Sequence, residues 1–120
     1  MPITWEQETD KLIVARVNGK LANSEHRVFQ EAVAPILQVQ GDIRLLVVLD
    51  NFKGWEAGEE LGDMSFMDAN DQHLVRFAIV GDEKWRDQTL MFTLAGLRPV
   101  NIHYFSLDQE AAARKWLAEG

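Results

Sequence analysis

The sequence predicts an α/β domain with a mainly parallel sheet of about five strands, and three observations carry that reading. Short apolar runs recur at Lys11–Val17, Ile43–Asp50, Leu74–Val80 and Val100–Phe105. Each is followed by a stretch with helical spacing, which is the alternation of β-α units. The run Ile43–Leu49 is interrupted only by Arg44, as expected of a central parallel strand. These elements use nearly all of the 120 residues, so a single domain spanning 1–120 is expected.

The chain opens with Ile3–Glu8, where Ile3, Trp5 and Gln7 alternate against Thr4, Glu6 and Glu8. Asp10-Lys11 turns it into Leu12–Val17, and Asn18-Gly19 closes that strand, giving an N-terminal antiparallel hairpin. Asn23 or Ser24 is the expected cap of the first helix, because either side chain accepts a free backbone N–H. Its apolar stripe is Val28, Phe29, Ala32, Val33, Ile36 and Leu37; Pro35 interrupts it and Gly41 ends it.

Asp50–Glu56 is expected to be a loop carrying two large aromatics, Phe52 and Trp55. Ala57–Gln72 is a weaker helix, since Gly58 and Gly62 each cost about 1 kcal/mol relative to alanine. After the strand Val75–Val80 and the break Gly81-Asp82, a helix from Glu83 to about Ala95 is stopped by Gly96 and Pro99. Ser106 or Asp108 caps a last helix that buries Ala112, Ala113, Trp116 and Leu117.

Right-handed crossovers between sequential parallel strands place all four helices mostly on one face of the sheet. The strand registers agree with that arrangement. Ile43, Leu45, Val47, Leu49, Val75, Phe77, Ile79, Val100, Ile102 and Tyr104 form an apolar set. The opposite set has polar ends, Arg44, Asp50, Arg76, Asn101 and His103, around apolar middles. That second face is expected to be semi-exposed, partly shielded by a partner subunit or else covered by the N-terminal hairpin and loops.

Composition removes several functions. A net charge of −7 argues against nucleic acid as a partner, because a phosphate backbone needs a basic face. The absence of cysteine rules out disulfides, thiolate catalysis and cysteine metal sites. No run approaches the roughly 20 apolar residues that span a bilayer, and Met1–Glu6 lacks the pattern of a signal peptide. A soluble cytoplasmic protein is expected.

The order of elements resembles the SpoIIAA-like family, relatives of the STAS domains of anti-sigma factor antagonists. Three segments carry the resemblance: Ile43–Asp50 with Phe52-x-Gly54-Trp55, Phe77–Trp85, and Tyr104–Ala112 with Trp116-Leu117. They are strand ends, turns and core positions, with no catalytic signature among them. The resemblance implies a superhelix of β-α units and a regulatory or binding role. The phosphoswitch of anti-sigma antagonists needs a hydroxyl at a helix N-terminus just after the central strand. Asp50–Trp55 offers none there, and Ser65–Asp71 carries Ala69, Asn70 and Asp71 where two serines and a glycine belong.

Nothing else in the sequence converges on catalysis. His26, His73 and His103 lack metal-ligand spacing, Ser24 and Ser106 read as caps, and no glycine-rich phosphate loop is present. The acidic set from Glu56 to Asp71 reads as the solvated face of a helix. The remaining signal is apolar. Thr89–Leu97 is hydrophobic nearly all round, and Met64, Phe66 and Met67 lie on the glycine-weakened helix. A non-enzymatic module without a cofactor is expected, its middle helices covering a pocket for a hydrophobic or lipid-like small molecule and touching a membrane peripherally. The expected lining is Phe52, Trp55, Phe66, Met67, Met91 and Phe92. The alternative is a homodimeric interaction module that uses the same surface as its interface.

Overall fold

The computed structural model describes residues 3–55, 71–93 and 100–119. Five strands form one sheet in sequence order: β1 (Ile3–Thr9), β2 (Leu12–Leu21), β3 (Ile43–Trp55), β4 (Leu74–Gly81) and β5 (Asn101–Ser106). β1 and β2 are antiparallel, pairing Ile3 with Val17 and Thr9 with Leu12, while β2 to β5 are parallel. The expected hairpin and mixed five-stranded sheet are therefore present.

The described residues contain three α-helices: α1 (Asn23–Gln40), α2 (Arg86–Phe92) and α3 (Glu110–Glu119). The four expected helices are not matched, because Ala57–Gln72 falls almost wholly on 56–70, outside the described residues. Its last two residues fall in a 3-10 turn, Asp71–His73. The predicted helix from Glu83 begins as another 3-10 turn, Glu83–Trp85, before α2 takes over.

The ends of α1 show how the hairpin and helix support each other. Ala22, and not the expected Asn23 or Ser24, occupies the N-cap position, and it contributes no side-chain bond. The Ala22 carbonyl instead accepts from the N–H groups of Glu25 and His26, both at 3.1 Å. At the other end Gly41 takes φ +63° and donates its N–H to the Leu37 carbonyl, the left-handed stop that glycine allows. Lys11 Nζ, from the hairpin turn, reaches the carbonyls of Gln40 and Gly41 at 2.8 and 3.0 Å. A cation there opposes the negative end of the helix dipole.

Strands β2 and β3 run further than the sequence suggested. Asn18-Gly19 does not end β2, and Asp50–Trp55 is strand, not loop. Gly19 pairs with Phe52, Lys20 with Gly54 and Leu21 with Trp55, across two register shifts. Gly19, Asn51 and Gly54 take φ of +75°, +54° and +98°. The same residue types that break a strand also make bulges, through which pairing continues.

The helices occupy both faces, contrary to the one-sided expectation. On one face α1 places Phe29, Val33 and Leu37 against Ile13, Ala15, Leu45, Leu49 and Ile79. On the other, α3 places Ala113 and Leu117 on Val14, Leu46, Val48, Ala78 and Val80, with Phe105 and Trp116 at the margin. The second face is thus covered by the chain's own last helix. The crossover rule constrains a helix between two parallel strands, and α3 follows the final strand with no later strand to reach. Its apolar stripe goes to the apolar middle of the uncovered register. Among the described residues no helix is long and apolar enough to cross a membrane.

Candidate ligand cavity and its rim

The C-terminal ends of β3, β4 and β5 form a locked rim. Trp85 donates its indole N–H to the Phe52 carbonyl at 3.1 Å, and the two rings meet edge to face with centroids 5.2 Å apart. This satisfies the polar atom of a half-buried indole while its ring lies over the β3 bulge. Gly54 makes room for it, since a Cβ there would sit 3.0 Å from Trp85 Cη2. Asp82 accepts from the Lys84 N–H at 3.0 Å and starts the turn that delivers Trp85.

Tyr104 closes the same corner by donating its hydroxyl to the Asp82 carbonyl at 2.7 Å. Burial, with the charges of Glu83 and Asp82 adding to it, pushes this phenol up to about 12. Gly81 permits the approach, because a Cβ would come within 2.5 Å of the Tyr104 oxygen and 2.9 Å of Leu49. The motif residues Phe52, Gly54, Gly81, Asp82, Trp85 and Tyr104 therefore build one interlocked corner.

Beside this corner a cavity of about 100 Å³ lies between the sheet, α1 and α2. Its floor includes Ala15, Leu45, Val47, Phe77 and Ile79, and its walls include Phe29, Val33 and Leu37 from α1. An apolar void of this order stays dry and accepts a small apolar guest. Four polar residues interrupt the lining: His26 and Gln30 from α1, Thr89 and Thr93 from α2. The two threonines are one helical turn apart but differ. Thr93 donates its hydroxyl back to the Thr89 carbonyl at 3.0 Å. Thr89 is only 5% exposed, and its Oγ1 has no hydrogen-bond partner in the structure. A buried hydroxyl without a partner costs about 1–3 kcal/mol, which a guest carrying a matching group would recover.

A family model described as SpoIIAA-like matches residues 12–118. The chain belongs to the SpoIIAA-like family. Solved structures share its fold at low sequence identity. An uncharacterised protein of the DUF3478 family from Shewanella loihica, with a SpoIIAA-like fold, superposes with a TM-score of 0.71 at 17% identity, covering 96% of this chain and 91% of that one. A putative anti-sigma factor antagonist from Thermotoga maritima gives 0.61 at 15% identity, covering 97% and 94%. The anti-sigma factor antagonist SpoIIAA in its unphosphorylated form gives 0.58 at 14% identity, covering 95% and 97%. No curated protein matches the chain.

In this family member the predicted lining residues go to different places. Phe52 is 6% exposed and lines the cavity. Met91 is 74% exposed and is not in the lining. Trp55 ends β3 and Phe92 ends α2, their side chains lying outside the described part, as do Phe66 and Met67 altogether. Sequence reasoning missed His26, Gln30 and Thr89. The only available signal was Thr89 and Thr93 at helical spacing in an otherwise apolar stretch. Among the described residues, no group of His, Asp and Glu is placed to hold a metal.

Proposed function

We propose that this SpoIIAA-like chain is a non-enzymatic binding module that takes a hydrophobic or lipid-like small molecule into the cavity between the sheet, α1 and α2. The observation that carries this reading is a nearly all-apolar lining with one buried, unpartnered hydroxyl, that of Thr89. Apolar walls supply affinity, while a few polar groups fix orientation. The fitting guest is an apolar molecule of about the cavity's size bearing one hydrogen-bonding group.

Native mass spectrometry, comparing intact and denatured masses of gently purified protein, tests the reading directly. A released small molecule is the expected result. Titration with a short fluorescent fatty acid should show saturable binding. Ala15→Phe, which fills the floor, should abolish it, and Trp55→Ala and Phe92→Ala should weaken it. Wild-type protein that binds no apolar probe would sink the proposal.

A second reading, a homodimeric interaction module, draws on a separate feature. Val28 and Val39 on α1 are 54% and 84% exposed, and Ala32 and Pro35 lie between them on the same outward stripe. Size exclusion with light scattering decides it: a dimer disrupted by Val39→Glu supports this reading, and a monomer ends it.

A further inference from the structure

The α3 face carries a cationic pair that the cavity does not use. Arg44 of β3 and Arg76 of β4 are register partners, so their side chains leave neighbouring strands on the same side, beneath α3. Asn101 of β5 continues the row as the partner of Arg76. Like charges directly opposed across a sheet are unfavourable unless something of opposite sign lies between them.

The other arginines of this face show what is missing. Arg114 reaches Glu8 at 2.8 Å and Glu110 at 3.2 Å, and Arg16 reaches Glu110 at 3.5 Å. Among the described residues no carboxylate pairs with Arg44 or Arg76, although the chain carries 19 acidic side chains. Arg76 is partly compensated. It donates to the Trp116 carbonyl at the negative end of α3, and its guanidinium lies 4.7 Å from the Trp116 ring centroid. Among the described residues Arg44 has no such partner, and its Nε is buried without a hydrogen bond. His103, one pair further along β5, packs its ring 5.1 Å from Trp116 and is exposed.

We propose that Arg44 and Arg76, flanked by Trp116, form a binding site for a small oxyanion, a carboxylate or a phosphate. Each guanidinium offers a planar fork of N–H donors that matches two oxygens of such a group. The anion supplies the missing opposite charge between the two strands and takes up the donors of Arg44. The Trp116 ring holds the Arg76 plane in place. This site lies on the opposite face of the sheet from the apolar cavity and does not depend on it.

The test is thermal unfolding against inorganic phosphate and against acetate, at ionic strength held constant with chloride. Wild-type protein should show a saturable rise in Tm with at least one of the two anions, and the one with the larger rise identifies the chemistry. Arg44→Gln should lose the rise, while Arg86→Gln, at an exposed ion pair elsewhere, should keep it. In chloride buffer without phosphate or acetate Arg44→Gln should melt at or above the wild-type temperature, because a like charge on the register partner of Arg76 is removed and no bond is lost. Arg44→Lys, which keeps the charge without the fork, should bind at least tenfold more weakly by calorimetric titration. A wild-type rise no larger than that of Arg44→Gln, with either anion, would overturn the proposal.

Discussion

The two faces of the sheet are packed to different standards. Beneath α3 the layer is solid: Leu46, Ala78 and Ala113 are each 0% exposed and Leu117 is 1% exposed. Beneath α1 and α2 the side chains are as hydrophobic, yet they surround a void. The difference follows from size and number. A layer of small residues lets α3 approach closely, whereas α1 stands on larger aliphatics and α2 is only seven residues long. One face is a filled core and the other holds a cavity.

The sharpest way to break that contrast is to truncate one leucine on each side. Leu46→Ala should cost about 4 kcal/mol, since it opens a cavity in a filled layer. Leu45→Ala, whose side chain already borders the void, has fewer contacts to lose and should cost about 2 kcal/mol. Equal losses in urea unfolding would mean that the two faces are packed alike.

Enlargement gives the reverse test. Ala78→Leu should destabilise by about 2 kcal/mol because nothing beneath α3 can yield. Ala15→Leu projects into the cavity and should leave stability within about 0.5 kcal/mol of wild type. It should also weaken binding of an apolar probe.

The rim beside the cavity can be probed through Tyr104, the single tyrosine of the chain. Its absorbance should titrate at about 12 and not near 10.0. The raised value means that stability is fully present below pH 10.0 and declines as the pH rises through about 12. Gly81→Ala should push the hydroxyl off the Asp82 carbonyl, returning the titration toward 10.0 and costing about 1–2 kcal/mol.

The smallest effect belongs to the surface link between hairpin and α3. The Arg114 guanidinium holds the Glu8 carboxyl below its ordinary value. Its contribution is therefore present above the usual carboxylate range and lost as the pH falls through the lowered value. Glu8→Gln should cost about 0.5 kcal/mol at pH 7 and slightly flatten the acid limb of the stability profile.

Much of the architecture is legible from particular residues. The apolar register beginning at Ile43 marked the α1 face, Gly41 marked the end of α1, and Ser106 with Asp108 marked the start of the last helical segment. There the Ser106 N–H donates to Gln109 Oε1 at 3.1 Å. The extension of β3 was not legible, because Asn51 and Gly54 are bulge formers and strand breakers alike. Nor was the cavity, since Phe52 and Met91 look equally apolar in sequence and differ only in where the chain turns.

Local chemistry and hydrophobic period, both properties of neighbouring residues, determined the strands, the hairpin and the family to which the chain belongs. Tertiary structure alone decided that α3 crosses to the second face, that Thr89 keeps a buried hydroxyl without a partner, and that Arg44 meets Arg76. Those outcomes depend on which distant segments compete for the same surface. A repeating pattern identifies a face as apolar but does not say which helix will cover it or how completely.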